Sequence, residues 1–553
     1  MSNIRNTSSL SKHLSLKILP RFFSTICLLG IIFSFGGLFV SCEKNQQQTK
    51  QVFRANFSYE PTTLDPRKGC DAITSLVHFM LYEGLTKITP KSTHELGLAN
   101  KIDLSENKLI YTFHLKDTYW SNGDLVTAYD FQYAWSSMLD PKFPCPNAHL
   151  LYPIKNAESV KKGILPTEAL GIAALDSHTF QVTLETPTPY FLDLTSFCVF
   201  FPVPKKIAEK DPKWADSLNP NLITNGPFSL ISWRKCNEMI YVKNPNFWKK
   251  GYPKLDRVEL SIINNEITAL GMYQSNELDF LGCTLTSIPP DWIGKFASQG
   301  ILQSKPLGAT TFSTFNLNTF PFNNKNIRKA FAYAINRKDI IDNITQFDEI
   351  VATGCIPPVL KNQIDKSFYQ DGNKELARKY LTLGLKELGV KKEDLNGLVL
   401  SYFSADTYKR IAQTLQEQWR SAFEIDIKLD ENDFKVTMDK FNRKDYQIGL
   451  MMWMIQYNDQ MGILDRFKLK KNPKNYPGWE NPEYIKLLDQ SAQSKNEKER
   501  VSILSKAEEL ITDEMPFSCI FHWNSIFLKK DTVKDIHISP IGSIHLDETY
   551  IES

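Results

Sequence analysis

The stretch at residues 111–135 constrains the fold of this chain more than any other part of its sequence. In its first third, Tyr111, Phe113 and Leu115 alternate with polar residues, which is the pattern of a strand with one buried face. Ser121-Asn122-Gly123-Asp124 then favours a tight turn, because asparagine tolerates a left-handed backbone, glycine adopts one freely and aspartate can bond its own backbone. A strand followed by a sharp turn is therefore predicted.

A capped helix is predicted directly after that turn. Thr127 stands where a helix N-cap is expected, and Asp130, three residues further on, places its negative charge at the positive end of the helix dipole. Phe131, Trp135 and Met138 fall on one face at helical spacing. Strand, turn and helix together predict an α/β unit, although each piece alone would fit many folds.

The whole string resembles the signature region of bacterial extracellular solute-binding proteins of the oligopeptide-binding family, which feed ABC transporters. In that family, an alternating aromatic strand leads through Trp-Ser-Asp/Asn-Gly and Val-Thr-Ala to Asp-Phe-x-Tyr-x-Trp. Residues 60–66 (EPTTLDP) and 82–85 (YEGL) are similar to the opening of the family, and residues 321–335 are similar to a motif of its second lobe. The resemblance covers most of residues 52–530.

The resemblance implies an α/β, two-lobed periplasmic-binding-protein fold of class II, cluster C type, with an extra small domain on the first lobe. In the second half of the chain, strands separated by helices predict a parallel-rich sheet, and one strand is expected at Phe315–Asn318. The implied divisions are a signal peptide at 1–41, a flexible tether at 42–51, a first lobe at 52–72 plus 195–308 plus 524–553, an extra domain at 73–194, and a second lobe at 309–523.

The N-terminus has the layout of an export signal. Four basic and no acidic residues accompany an uncharged run from Phe22 to Ser41, and the run ends at Cys42. The residues before Cys42 resemble a lipobox, in which cleavage leaves a cysteine that carries a lipid, although Phe39 stands where that pattern usually has leucine. The alternative is an uncleaved membrane-spanning anchor, since a span needs about 20 apolar residues. Either interpretation places the remainder outside the cytoplasm.

Charge and cysteine content exclude some classes of partner. The formal net charge of +3 falls to −1 once the signal is removed, so no positive field indicates a nucleic acid partner. Of nine cysteines, seven lie after Cys42, and an odd number without a CxxC pair favours scattered thiols over a disulfide framework, although an exported chain can form disulfides. No metal spacing, cofactor fingerprint or catalytic motif is present, so neither a cofactor nor an enzymatic activity is expected.

The predicted ligand strip follows the apolar segment 446–453. Gln456, Tyr457 and Asn458 lie at the carboxyl end of that strand. This is the end at which α/β sheets place ligands. The resemblance implies Trp-x-x-Asp-Tyr here, with the aspartate pairing the free α-amino group of a peptide. In this chain, Gln456 replaces that aspartate, so the charge-pair energy is lost. Trp453 and Tyr457 are expected to form flat apolar walls.

Three further ligand candidates come from the same resemblance. Glu60 occupies a position where the family carries an acidic or polar ligand contact, with a solvated turn carboxylate as the alternative. Tyr408 stands where a relative can use histidine for a peptide carboxylate, and Leu450 replaces a basic residue with the same purpose. Arg443 is a substitute anion partner, or else an ordinary loop arginine. Because this chain lacks charged residues that the family uses to bind the two ends of a peptide, we expect a ligand that is blocked, branched or short, or one held through backbone and aromatic contacts.

The function implied is capture of an oligopeptide outside the cytoplasm, closure of the two lobes around it, and delivery to an ABC-type permease by a lipid-anchored monomer. Two alternatives stay open at this point. The same scaffold can hold a muropeptide, a glutathione-like peptide, a metal chelate or haem. It can also serve as a surface adhesin or signalling receptor.

Overall fold

Three sheets of four or more strands organise the residues described by the computed structural model, namely 51–69, 71–89, 93–360, 366–494 and 496–552. The predicted signal peptide, Cys42 and nearly all of the tether lie outside the described residues. The first sheet is mixed, since its first two strands are parallel and the others antiparallel. In spatial order its strands are Val52–Phe57, Arg257–Ile262, Glu238–Lys243 and Phe228–Arg234.

The second sheet belongs to the predicted extra domain and is antiparallel throughout. Its strands in spatial order are Ala99–Leu104, Ile110–Leu115, Thr179–Thr183 and Ile172–Ala174. Three two-stranded ribbons add Thr86–Ile88 with His94–Leu96, Val533–Lys534 with Tyr550–Ile551, and His537–Ile538 with Ile544–His545.

The third sheet extends through the second half of the chain. Its strands in spatial order are Phe280–Gly282, Phe517–Lys529, Gln303–Phe315, Ile448–Met454, Leu398–Phe403 and Ile427–Asn432, with Ile350–Val351 paired to Phe517–Lys529. Leu398–Phe403 is parallel to both of its neighbours, but the remaining pairs are antiparallel. The prediction of a parallel-rich sheet was therefore wrong, because two long strands run against the others.

The strand expected at Phe315–Asn318 was also placed wrongly. The observed strand Gln303–Phe315 ends where that one was expected to begin. Beyond it, the Asn316 amide donates to the carbonyls of Lys444 and Tyr446, each at 2.8 Å, and the Asn316 carbonyl accepts from Thr319 N–H at 3.1 Å. Asparagine thus turns the chain out of the sheet.

The helices cover the sheets of both lobes. They are Ala72–Leu81, Ala128–Leu139, Ala157–Lys161, Phe191–Leu194, Lys205–Ala208, Glu266–Gln274, Pro290–Ser298, Lys325–Tyr333, Arg337–Ile340, Lys374–Leu388, Asp406–Phe423, Phe434–Arg443, Met461–Leu464, Pro482–Gln493 and Glu497–Glu514. Within the described ranges, no helix combines the length and apolarity that crossing a membrane requires.

The signature unit forms as its sequence predicts. Tyr111, Phe113 and Leu115 are the buried residues of the strand, and Gly123 adopts a left-handed backbone with φ of +88°. The helix Ala128–Leu139 buries Phe131, Trp135 and Met138 completely, and the Trp135 indole donates to the carbonyl of Phe200 at 2.9 Å. This unit is confirmed in its strand, its turn and its buried helix face.

Asp130 fastens that helix to its surroundings. Its Oδ2 accepts from the Thr127 N–H at 2.8 Å and from the Thr127 hydroxyl at 3.0 Å, while its Oδ1 accepts from the Lys205 N–H at 3.0 Å. Burial raises the pKa of this carboxyl, against the lowering effect of those hydrogen bonds. One carboxylate therefore caps the helix and positions a later segment of the chain.

The buried side chains described next form two groups, one in each lobe. One core contains residues between 53 and 285 together with residues 527–546, so the extra domain shares a core with the first lobe. Two further cores contain residues between 312 and 521. The strands Gln303–Phe315 and Phe517–Lys529, here named the crossing strands, contribute to both groups, because Phe527 enters the first core while Phe312 and Phe315 enter the others.

The cysteines of the described chain carry free thiols. Cys198, Cys355 and Cys519 are buried, whereas Cys145, Cys236 and Cys283 are partly or fully exposed. For these six residues, the expectation of scattered thiols is confirmed. Burial raises the pKa of each of the three buried thiols.

We expect Asp130→Ala to lower the free energy of unfolding by about 3 kcal/mol, because it leaves partly buried donors of Thr127 and Lys205 without their charged acceptor. Urea unfolding followed by tryptophan fluorescence measures this change. Glu106→Ala, which removes an exposed carboxylate from the same domain, serves as the control. Equal midpoints for the two variants would contradict the role assigned to Asp130.

Candidate functional site

The segment 455–458 leaves the second lobe beside the crossing strands. The Ile455 N–H donates to the Gly308 carbonyl at 2.8 Å, and the Gly308 N–H donates to the Pro540 carbonyl at 2.7 Å. A Cβ at position 308 would lie 2.3 Å from Ile455 Cδ1, so any larger residue would require the Ile455 side chain to move. This contact fixes the backbone of the predicted ligand strip against residues of the first lobe.

Two adjoining cavities lie beside this segment. The cleft cavity is lined by Gln456, Tyr457 and Asn458 from the second lobe and, among others, by Phe79, Ser196 and His545 from the opposite side. The polar cavity shares Phe79, Ser196 and His545 with it and continues to Glu83, Lys87 and Asp547. Three of the predicted ligand residues are thus brought together on one wall of an interlobe cavity.

Gln456 joins the second lobe to the extra domain. Its amide nitrogen donates to Asn147 Oδ1 at 3.0 Å, and its Oε1 lies 2.9 Å from His149 Nε2. Lys474 Nζ donates to the same Oε1 at 3.3 Å and lies 3.2 Å from His149 Nε2. Where the family resemblance implies a carboxylate, this chain has a neutral amide in contact with an ammonium group.

Burial changes the ionisation of the groups around Gln456. The pKa of His149 is lowered to about 4 by burial and by the neighbouring Lys474 charge. The pKa of Lys474 is lowered to about 8 by burial and by the charge of Arg466. At neutral pH, the imidazole is therefore neutral and the ammonium is still charged.

Two tyrosine rings face each other across the cleft. Tyr457 stacks on Tyr190 with ring centroids 4.8 Å apart and an angle of 13° between the planes. Tyr190 belongs to the extra domain, and burial raises the pKa of both phenols. The pair provides a flat, largely apolar contact surface between the lobes.

The polar cavity contains buried charges. Lys87 and Asp547 form an ion pair, and burial is the main reason that the pKa of Glu83 is raised to about 7. Burial lowers the pKa of His545 to about 3, and its ring stacks on His537 at 5.1 Å. The ionisable groups at this end of the cavity system are strongly desolvated.

Glu60 lies elsewhere, at the turn between two strands of the first sheet. Its Oε1 accepts from the Cys236 N–H at 2.7 Å and from the Trp233 indole at 3.3 Å, and its Oε2 lies 3.7 Å from Lys235 Nζ. The Glu60 carboxylate thus stabilises the turn between the strands Phe228–Arg234 and Glu238–Lys243.

The other three predicted contacts lie in the second lobe. Trp453 is buried against Phe312, with ring centroids 3.8 Å apart. Tyr408 is buried and packs on Phe403 at 4.1 Å. Arg443 is 73% exposed and pairs with Asp439 of its own helix. The structure does not bring these three side chains to the wall formed by Gln456, Tyr457 and Asn458.

No sequence pattern marked Asn147, His149, Tyr190 or Lys474 as part of this site. Asn147 and His149 follow Pro144 and Pro146 at the start of the short 3-10 helix Ala148–Leu151, and Lys474 lies in a loop. Their only common signal is a loop composition, which many surface segments share. Tertiary contacts across the cleft bring them to Gln456.

Comparison with known proteins agrees with this architecture. The model for bacterial extracellular solute-binding proteins, family 5 (middle), matches residues 93–475. The oligopeptide-binding protein OppA of Bacillus subtilis is 35% identical over 523 residues, which cover 94% of this chain and 96% of that protein.

Two solved structures share the fold. The crystal structure of a periplasmic oligopeptide-binding protein, OppAIV from Borrelia burgdorferi, has a TM-score of 0.73 at 28% identity, covering 87% of this chain and 96% of that one. Haemophilus influenzae OppA in complex with RPPGFSPFR has a TM-score of 0.75 at 26% identity, covering 91% and 99%. The predicted two-lobed class II fold is thereby confirmed.

We expect Glu83→Gln to gain stability relative to the unsubstituted chain as pH rises. Below about pH 4.5 the carboxyl is protonated in both folded and unfolded chains. Between that pH and about 7, only the unfolded chain ionises fully, so the unsubstituted protein loses stability that the variant keeps. The difference in unfolding free energy should grow by up to about 3 kcal/mol across this range.

Urea unfolding at pH 4, 6 and 8 measures that difference. Glu95→Gln, at an exposed position in the neighbouring ribbon, controls for the loss of a carboxylate as such. A difference that stays constant with pH would show that Glu83 ionises as readily in the folded chain as in the unfolded one.

Proposed function

This chain belongs to the bacterial extracellular solute-binding proteins of family 5, and we propose that it captures oligopeptides outside the cytoplasm and delivers them to an ABC-type membrane permease. Two proteins that it resembles, one in sequence and one in fold, are named for oligopeptide binding, and the second also for ABC transport. The family is one of solute-binding proteins, and no catalytic step is assigned to this chain.

One observation carries the proposal. The wall formed by Gln456, Tyr457 and Asn458 faces residues of the extra domain and of the first lobe across a cavity, and its backbone is held at the crossing strands through Gly308. Because the crossing strands are the continuous connection between the two cores, a change in the angle between the lobes opens or closes this cavity. A peptide that contacts both walls favours the closed state, and that state signals the permease.

The ligand contacts divide into two sets. Gln456, Tyr457 and Asn458 are proposed to touch the peptide directly, through an amide, an aromatic face and a second amide. Such groups recognise backbone and flat surfaces and discriminate little between side chains. Ligand contact by Glu60, Tyr408, Arg443 and Trp453 stays a prediction.

The domain limits and the anchor belong to the same proposal. We assign residues 52–72, 195–308 and 524–553 to the first lobe, 73–194 to the extra domain and 309–523 to the second lobe. The chain is proposed to act as a monomer attached to the membrane through a lipid on Cys42, with residues 42–51 as its tether. The export signal and its terminal cysteine support this attachment.

We expect the full chain, purified in detergent, to bind di- to pentapeptides in titration calorimetry and to become more compact in small-angle scattering. Tyr457→Ala should lower the affinity for all of these peptides by about threefold to tenfold. The substitution removes one ring of the stacked pair, and this loss does not depend on the peptide sequence.

Tyr129→Ala, at an exposed tyrosine of the extra domain, is the matched control and should bind as the unsubstituted chain does. Failure of the unsubstituted chain to bind any peptide would overturn the proposed function. Binding that is unaffected by Tyr457→Ala would remove Tyr457 from the ligand site while leaving peptide capture intact.

We expect Cys42→Ser to abolish incorporation of labelled palmitate and to leave the signal uncleaved, since the modified cysteine directs that cleavage. Metabolic labelling followed by mass measurement of the chain checks both effects. A chain that carries no label even before substitution, and that keeps residues 1–41, would support the membrane-spanning alternative.

A further inference from the structure

The charge around Gln456 is opposite in sign to that of an ammonium-binding site. Lys474 Nζ lies 3.3 Å from Gln456 Oε1, and Arg466 is close enough to lower the pKa of Lys474. Arg466 uses its guanidinium on the carbonyls of Met454 at 2.7 Å and Gly462 at 2.9 Å. Lys474 therefore contacts the predicted ligand strip at Gln456, and Arg466 contacts the backbone just before it, at Met454.

No carboxylate of the described chain pairs with either cation. The acid nearest in sequence to Gln456 is Asp459, and Arg500 holds both of its oxygens, at 2.7 and 2.8 Å. His149, the remaining titratable group in contact with Lys474, is held neutral by burial. Asp465, the buried carboxyl next to Arg466, has its pKa raised by burial and forms no ion pair with Lys474 or Arg466. Neither cation therefore has a carboxylate partner within the described part of the chain.

The hydrogen bonds of Lys474 are weak ones for an ammonium group. Both of its nearest polar contacts, with Gln456 Oε1 and His149 Nε2, are neutral and lie beyond 3 Å. A carboxylate oxygen would form a shorter, charge-assisted bond and would neutralise a desolvated cation. An ammonium group brought to the same place would meet repulsion from Lys474 and Arg466.

We propose that the Gln456 end of the cleft receives a carboxylate of the bound peptide, with Lys474 as its ionic partner and Gln456 as a neutral hydrogen-bond donor beside it. This inference rests on the proposed peptide-binding function and specifies the charge that the site selects. The carboxylate has two sources in a peptide, the C-terminus and an acidic side chain, and both present the same group to Lys474.

Titration calorimetry on the full chain tests the proposal with trialanine, its C-terminal amide, its N-acetyl derivative, and an amide with aspartate in place of one alanine. We expect amidation to weaken binding at least tenfold and N-acetylation to change it less than threefold. Recovery of affinity in the aspartate-containing amide would identify a side-chain carboxylate as an accepted source, and no recovery would identify the C-terminus.

Substitutions at position 474 test the partner itself. Lys474→Met keeps the aliphatic stem and should bind trialanine at least tenfold more weakly, with the amide unaffected, while Lys474→Arg should restore most of the affinity. Lys471→Met, at an exposed position in the same loop, is the matched control. For the unsubstituted chain, the affinity for N-acetyl-trialanine, which has no α-amino group to titrate, should fall as pH rises above about 8, because Lys474 then loses its proton.

Two results would overturn the inference while sparing peptide capture. One is trialanine binding that Lys474→Met leaves unchanged. The other is binding that N-acetylation abolishes, which would show that a free ammonium is required. If the unsubstituted chain binds none of the four peptides, nor a mixed peptide library, the proposed function itself fails and this inference fails with it.

Discussion

The pairing of the crossing strands is the interaction on which the rest of the structure depends. Gln303–Phe315 and Phe517–Lys529 are antiparallel partners for most of their length, and each is 13 residues long. Their register shifts between Pro306 and Thr310, where Gly308 bonds to Pro540 on one side and to Ile455 on the other. The connection between the lobes is therefore irregular at the point where the predicted ligand strip begins.

An irregular ladder is suited to bending, because a bulge leaves one backbone segment outside the regular hydrogen-bond pattern. The strand Phe517–Lys529 enters the first core through Phe527 and a core of the second lobe through Phe517 and Cys519, so it connects two separately packed units. A rotation about this region would change the distance between Tyr190 and Tyr457, which pack at the margins of the cores, and the distance between Gln456 and His149. Closure and ligand contact are thus linked through the same few residues.

Local signals in the sequence were enough to predict the signature unit. Alternation in the strand, a glycine at the turn, and Thr127 with Asp130 at the helix start act within a few residues of one another. The position of Gln456 after an apolar strand was equally predictable, because family resemblance and sheet geometry indicate the same place. What these signals do not contain is the direction of the long strands. The pairing of residues near 303 with residues near 527 is a long-range contact, and so the sheet was wrongly expected to be rich in parallel pairs.

The partners of Gln456 were beyond prediction for a related reason. Asn147 and His149 belong to the extra domain, more than 300 positions from Gln456 in the sequence, and nothing in their own neighbourhood indicates a binding surface. Four predicted contacts, among them the buried Trp453 and the exposed Arg443, lie away from the cleft wall, because a sequence position near a strand end does not determine which way a side chain points.

The same geometry explains how the polarity of the site can differ from that implied by the family while the fold stays the same. The backbone of residues 455–458 is fixed by Gly308 and Pro540, and neither bond involves the side chain at position 456. Replacing an acid by glutamine there removes a charge without moving the strip. Lys474 enters from a separate loop, so its charge varies independently of the crossing strands. The side chains proposed to select the charge of the ligand, Gln456 and Lys474, are thus not the groups that hold the backbone of the strip, which is bonded through Gly308 and Pro540.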